Sequence, residues 1–183
     1  MTPRTRPGMT LWRSTVVVFA LVASLAMSLG LAPIPIPAAD AQPYDAQEAR
    51  NLATVQAGFD AWRNGNGSPY DALADDATWE ITGTSLAART YTSKEDFLAN
   101  VIRPFNARMS GRLIPTIRNI YADGDTVIVF FDAEGTARDG IPYRNTYSWF
   151  LQLRDDKIVR AAAFFDSITF DDFWRRVAPA PTP

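Results

Sequence analysis

The chain has 183 residues, a formal net charge of −2, and neither histidine nor cysteine. Those two absences exclude a Ser-His-Asp or Cys-His nucleophile, a His-ligated zinc or iron site, a disulfide framework and a lipid-bearing cysteine. The basic residues are nearly all arginine and are scattered, so nucleic acid is not an expected partner.

The first part reads as an address. Arg4, Arg6 and Arg13 make a basic start, no charge occurs from Ser14 to Ala39, and the apolar run spans Val16 to Ala32. Ala39-Asp40-Ala41 offers a small-x-small cleavage site, so residues 1–41 read as a secretory signal peptide cut before Gln42. The competing reading is an uncleaved anchor, because a run of this length reaches the lower limit for crossing a bilayer; a membrane association is expected only then. Either way the globular part is expected outside the cytoplasm, periplasmic or extracellular. Adjacent arginines occur only at Arg175-Arg176, so the leader lacks a twin-arginine signal. Pro33, Pro35 and Pro37 form a stiff connector, and Ala178 to Pro183 is a Pro-rich tail expected to be disordered. Residues 42–177 remain as one domain.

Asp45 to Arg63 places Ala46, Ala49, Leu52, Ala53, Val55, Ala57, Phe59 and Trp62 at helical spacing, and Asn64-Gly-Asn-Gly67 stops the helix. Ser68-Pro69 opens a short helix to Leu73 or Ala74. Asp76 to Thr82 reads as a strand. Thr92 or Ser93 caps the next helix, whose apolar face is Phe97, Val101, Ile102 and Phe105, with Pro104 predicting a kink or an early end near Arg103. Four strands follow, Arg112 to Tyr121, Thr126 to Arg138, Ile141 to Arg154 and Lys157 to Ser167, joined by tight turns at Asp123-Gly124, Asp139-Gly140 and Asp155-Asp156. A helical turn from Phe170 to Val177 closes the chain.

Helices segregated from an antiparallel meander mean an α+β fold, and a strongly curved sheet wrapped against the long N-terminal helix and two shorter helices encloses a hollow with one mouth. In the third of the four strands Asn145, Tyr147, Trp149, Leu151 and Leu153 share one face; Arg144, Thr146, Ser148, Gln152 and Arg154 share the other, with Phe150 out of pattern. Tyr147 and Asn145 therefore stand on the apolar side, where they can orient a ligand carbonyl or form a buried pair satisfied by backbone. Asp166 ends a largely apolar strand beside Phe164, Phe165 and Ile168. Apolar walls would raise its pKa and suit it to acid-base work; the alternative is a helix N-cap. Glu134 shares a face with Asp132 and Thr136, and pairs with Asp166 only if that face lines the hollow. Trp79, Trp149, Phe59, Trp62, Tyr91, Phe97 and Phe105 are cavity walls or plain core. No phosphate-binding glycine loop or dinucleotide fingerprint occurs, and no cofactor or metal is expected.

The element order, the run Gly140-Ile-Pro-Tyr-Arg-Asn-Thr-Tyr and the turn Arg154-Asp-Asp-Lys-Ile158, followed by Phe165-Asp166, resemble the SnoaL-like branch of the nuclear transport factor 2-like superfamily over Ala46 to Val177. The resemblance implies a cone-shaped fold, and it implies Asp166 as the proposed base of a cyclase. The superfamily also holds ketosteroid isomerases, epoxide hydrolases, dehydratases and domains with no chemistry, so the fold alone does not assign a function. His-dependent dehydratases are excluded by composition, and the Asp-Arg-Asp arrangement of the epoxide hydrolases has no good match, since Arg154-Asp-Asp156 falls in a turn. The expectation is an exported domain that takes a small hydrophobic molecule into its cone. Three uses of that fold stay open: a cofactor-free isomerase or cyclase using Asp166 with Tyr147 and Asn145, a non-catalytic binding domain, or a module that dimerises through the polar sheet face.

Overall fold

The computed structural model describes residues 43–180; the expected leader and connector lie outside them. Among the described residues no helix is long and apolar enough to cross a membrane.

Helix α1 (Ala46–Asn64) starts at a capping box: Asp45 accepts from the N–H groups of Gln47 and Glu48, and Glu48 reaches back to the Asp45 N–H. It ends at Gly65, whose left-handed φ of 77° suits glycine and whose N–H returns to the last-turn carbonyls. Its buried stripe is Asn51, Val55 and Phe59, one residue per turn. Gly58 in mid-helix is explained by a close approach: a Cβ there would stand 2.8 Å from Pro69 Cα. Pro69–Ala72 is a single 3-10 turn that leads into strand β1 (Leu73–Ile81).

Six strands form one sheet in the order β2-β1-β6-β5-β4-β3, with β2 Thr90–Tyr91, β3 Ile114–Asp123, β4 Thr126–Thr136, β5 Pro142–Arg154 and β6 Lys157–Phe165. The β3 to β6 meander is antiparallel, as its turns predict. β1 instead joins β6 in parallel, and the two-residue β2 pairs antiparallel with the outer edge of β1. Register shifts at Ile117/Asn119 and Gln152/Leu153 put extra residues into the ladder and bend the sheet. Asp155 and Asp156 both take left-handed φ, 52° and 59°, as a tight two-residue hairpin turn requires.

The bent sheet closes on α1 and on the helical run α2 (Lys94–Phe97) and α3 (Arg103–Asn106). Pro104 does not end this run. The segment Leu98–Ile102 between them is a π-helix, and the Arg103 N–H reaches back five residues to the Leu98 carbonyl. That looser turn lets the missing Pro104 N–H fall at the start of α3, where proline is tolerated. The closing helix α4 (Ser167–Arg176) begins earlier than Phe170, because Asp166 caps it. Nor does the chain leave the body at Val177: the Ala180 N–H donates to the Ala107 carbonyl at 2.7 Å.

Candidate functional site

A cavity of about 520 Å³ lies between the concave face of the sheet, residues 65–71, and the α2–α3 run. Its walls are aromatic. The Trp62 and Trp149 rings stack 6.0 Å apart at 9°, and Trp79 stacks on Phe97 at 4.3 Å and 10°. Phe105, Tyr70, Tyr147, Phe165 and Phe170 extend this lining, and aliphatic side chains from β1 and the α2–α3 run fill in between them. Five of the aromatic residues expected to form walls, Trp62, Trp79, Phe97, Phe105 and Trp149, do so. Phe59 and Tyr91 do not: Phe59 is fully buried behind Trp149 and Phe131, and Tyr91 is buried with its hydroxyl given to the Ala87 carbonyl.

Asn145 is a structural bridge, not a ligand donor. Its Oδ1 accepts from the Asp166 and Thr146 N–H groups, and its Nδ2 donates to the Asp166 carbonyl and to the Tyr143 hydroxyl, each at 2.8–3.0 Å. The backbone contacts fix which end of the amide is nitrogen, so Tyr143 oxygen must accept there. The Tyr143 and Tyr147 hydroxyls lie 2.9 Å apart. Tyr143 is 1 % exposed and would strand its own proton unless it donates to Tyr147. The chain of bonds therefore runs Asn145 to Tyr143 to Tyr147, and it leaves the Tyr147 proton free on the cavity lining. Burial pushes the Tyr143 phenol up to about 12 and raises Tyr147 well above its ordinary value. Both stay protonated donors at neutral pH. Tyr70, also raised by burial, accepts the Leu73 N–H through its carbonyl, but its hydroxyl has no partner among the described residues.

Two acids leave the site. Asp166 is exposed, and its carboxylate caps α4, accepting from the Ile168 and Thr169 N–H groups and the Thr169 hydroxyl. The Thr169 contacts lower its pKa, opposite to the expected rise. Glu134 pairs with Arg144 on the convex face, with its side chain 66 % exposed, and so does not line the cavity. Its neighbour Asp132 is held there by Thr146 and Arg118. Among the described residues no group of three or more potential metal ligands is brought together.

Sequence reasoning missed several lining or supporting residues, Phe165 and Phe170 among them. Tyr143 shares the parity of Asn145 and Tyr147 on β5, which was signal enough. Tyr70, Lys94 and Arg112 carried none, since only the fold brings them to the same cavity.

The SnoaL-like domain family matches residues 55–161, more than half of the chain, and the chain belongs to that family. No curated protein matches it. Among solved structures, Bal32a from a soil-derived mobile gene cassette is 20% identical, with a TM-score of 0.60 over 70% of this chain and 99% of that one. A protein of Jannaschia sp. CCS1 assigned as a SnoaL-like polyketide cyclase is 17% identical, with a TM-score of 0.59 over 77% and 99%. A Bacillus subtilis protein assigned as an isomerase is 18% identical, with a TM-score of 0.59 over 72% and 96%. Identities this low establish the shared fold, a curved sheet closed into a cone.

Proposed function

We propose that the protein binds a small, largely apolar molecule bearing a carbonyl oxygen, which accepts the Tyr147 proton inside the cavity. The observation that carries this reading is the buried hydrogen-bonded run Asn145–Tyr143–Tyr147; with Tyr143 satisfied as argued above, it leaves a neutral Tyr147 donor on a largely apolar stretch of the lining. The volume of about 520 Å³ suits a drug-sized ligand. Solved structures of this fold include one assigned as a polyketide cyclase and one assigned as an isomerase, so a small molecule in such a cavity is in keeping with the fold.

Catalysis would add a base. Among the described residues the lining holds one carboxylate, Asp71, which is exposed and already accepts the Ser68 N–H. Binding is therefore the leading reading. Trp62, Trp79 and Trp149 make the test direct, because a ring entering the cavity alters their fluorescence. Titration with 2-acetonaphthone and with 2-ethylnaphthalene is expected to saturate, and Tyr147→Phe is expected to weaken the ketone about fivefold, a hydrogen bond of about 1 kcal/mol, and to spare the hydrocarbon. Equal losses for both probes would refute the carbonyl contact.

We further propose export, on the composition of residues 1–41. The secreted form should begin at Gln42; recovery of the full-length chain in membranes would favour the anchor instead.

A second reading concerns the convex face. The strand register aligns Tyr121, Ile128, Phe150 and Ala162 in one row and sets Phe130 and Phe164 beside it. Phe150 and Phe164 pack together yet stay 38% and 50% exposed. The flanking Arg118–Asp132 and Arg144–Glu134 pairs neutralise one another, so a second copy of the chain meets no net repulsion there. A homodimer through this face is expected in sedimentation, and Phe150→Glu should dissociate it; a monomer at high concentration would end the proposal.

A further inference from the structure

The cavity has a charged rim whose cations are not neutralised by the protein. Three ionised side chains line it: Asp71, Lys94 and Arg112. Asp71 is engaged by the Ser68 N–H at 2.8 Å. Elsewhere on the surface Arg89, Arg103, Arg118 and Arg144 each hold a carboxylate, while among the described residues Arg138, Arg154 and Arg160 stand in no ion pair and line no part of this cavity. What marks Lys94 and Arg112 is that neither holds a carboxylate among the described residues and both line the cavity. Lys94 Nζ reaches only the Leu73 carbonyl, at 3.4 Å, which is long for a charged donor. Arg112 is anchored through a single nitrogen: Nη1 donates to the Trp62 and Arg63 carbonyls, both at 3.2 Å. Nε and Nη2, the edge of the guanidinium that grips a carboxylate with two parallel bonds, have no partner among the described residues.

Both cations border the loop 65–71. Arg112 lies against its first residue, with Nη1 only 2.3 Å from where a Gly65 Cβ would stand, and Lys94 touches Leu73 just beyond its end. Tyr147, by contrast, is buried at 8% exposure. Building on the cavity reading above, we infer that the ligand is an amphipathic anion, an aromatic keto acid with its ketone inward on Tyr147 and its carboxylate at the rim on Arg112 and Lys94. Such a ligand supplies the missing negative charge and satisfies the free Arg112 edge.

The test is a fluorescence titration of the protein with 6-acetyl-2-naphthoic acid and with its methyl ester, which keeps the rings and the ketone and removes the charge. The acid is expected to bind about tenfold more tightly, with the advantage shrinking in high salt. Lys94→Gln and Arg112→Gln should each weaken the acid severalfold and leave the ester unchanged. Because Arg112 also holds the end of α1, its variant is compared at matched thermal stability, and Lys94→Gln stands free of that concern. If the ester binds as tightly as the acid, or both variants weaken the two probes alike, the anionic assignment falls and the cavity reading survives. If neither probe binds, both fall.

Discussion

Removing the Asp166 side chain separates a structural acid from a catalytic one. In Asp166→Ala the N–H groups of Ile168 and Thr169 lose acceptors at 2.9 and 3.3 Å, and the Thr169 hydroxyl loses a contact at 2.7 Å. Loss of an N-cap acid costs about 1 kcal/mol, which for a domain of this size lowers Tm by about 3 °C. Asp166→Asn keeps the capping oxygen and should melt within about 1 °C of the parent at neutral pH. The pH dependence carries a sign. The folded-state pKa of Asp166 is depressed, chiefly by the Thr169 hydroxyl; the cap therefore contributes fully above the unfolded value of about 4 and fades as pH falls through the lower folded value. The Tm gap between parent and Asp166→Ala should accordingly be constant from neutral pH down to about 5 and close in stronger acid. Melting curves followed by circular dichroism measure this, alongside ketone titrations of all three proteins. If Asp166→Asn keeps its stability but loses ligand affinity or turnover, the assignment of Asp166 as a cap alone is wrong.

Three other outcomes follow from packing. Asn145→Ala strands the Asp166 backbone groups and the Thr146 N–H and removes the donor to the Tyr143 oxygen, and should destabilise by about 3 kcal/mol in chemical denaturation; its ketone affinity, measured on the folded fraction, should also fall because the Tyr147 proton loses its orientation. Gly135→Ala sets a Cβ 2.8 Å from the Arg112 carbonyl and 2.6 Å from Met109 Cε, so a melting temperature lowered by several degrees is expected, from about 2 kcal/mol of overpacking. Phe59→Ala should destabilise by about 4 kcal/mol, as deletion of a fully buried ring does.

The meander was the legible part of the fold. Alternation on β5 named its inward face, and Asp-Gly and Asp-Asp steps marked the turns, because both signals are local. The partner of β1 was not legible: its register with β6 pairs Trp79 with Ala161, and nothing in either segment records the other. The same limit governed the site. Tyr147 was found from parity, but separating Phe59 from Trp62 needed the crossing of α1 over the sheet, since both lie on its apolar stripe. Asp166 turned on whether the strand ended one residue before it or after it, a boundary that local pattern does not resolve. Pro104 marked the right place but not the outcome: the helix changes character at Arg103, where a π turn absorbs the proline instead of the run ending.

The parallel ladder between β1 and β6 also constrains the order of assembly. Hairpins β3–β4, β4–β5 and β5–β6 join neighbours in sequence and close cheaply, whereas β1 must wait for a strand some eighty positions downstream. Helix α1 can dock as soon as β3 and its turn exist, through Arg63 to the Pro115 carbonyl and Asn51 to the Gly124 carbonyl, but β1 stays unpaired on that side until β6 has been made. The sheet is therefore sealed last along the β1–β6 seam, and a change that weakens that seam would leave the meander and α1 able to associate while the cavity stays open on one side.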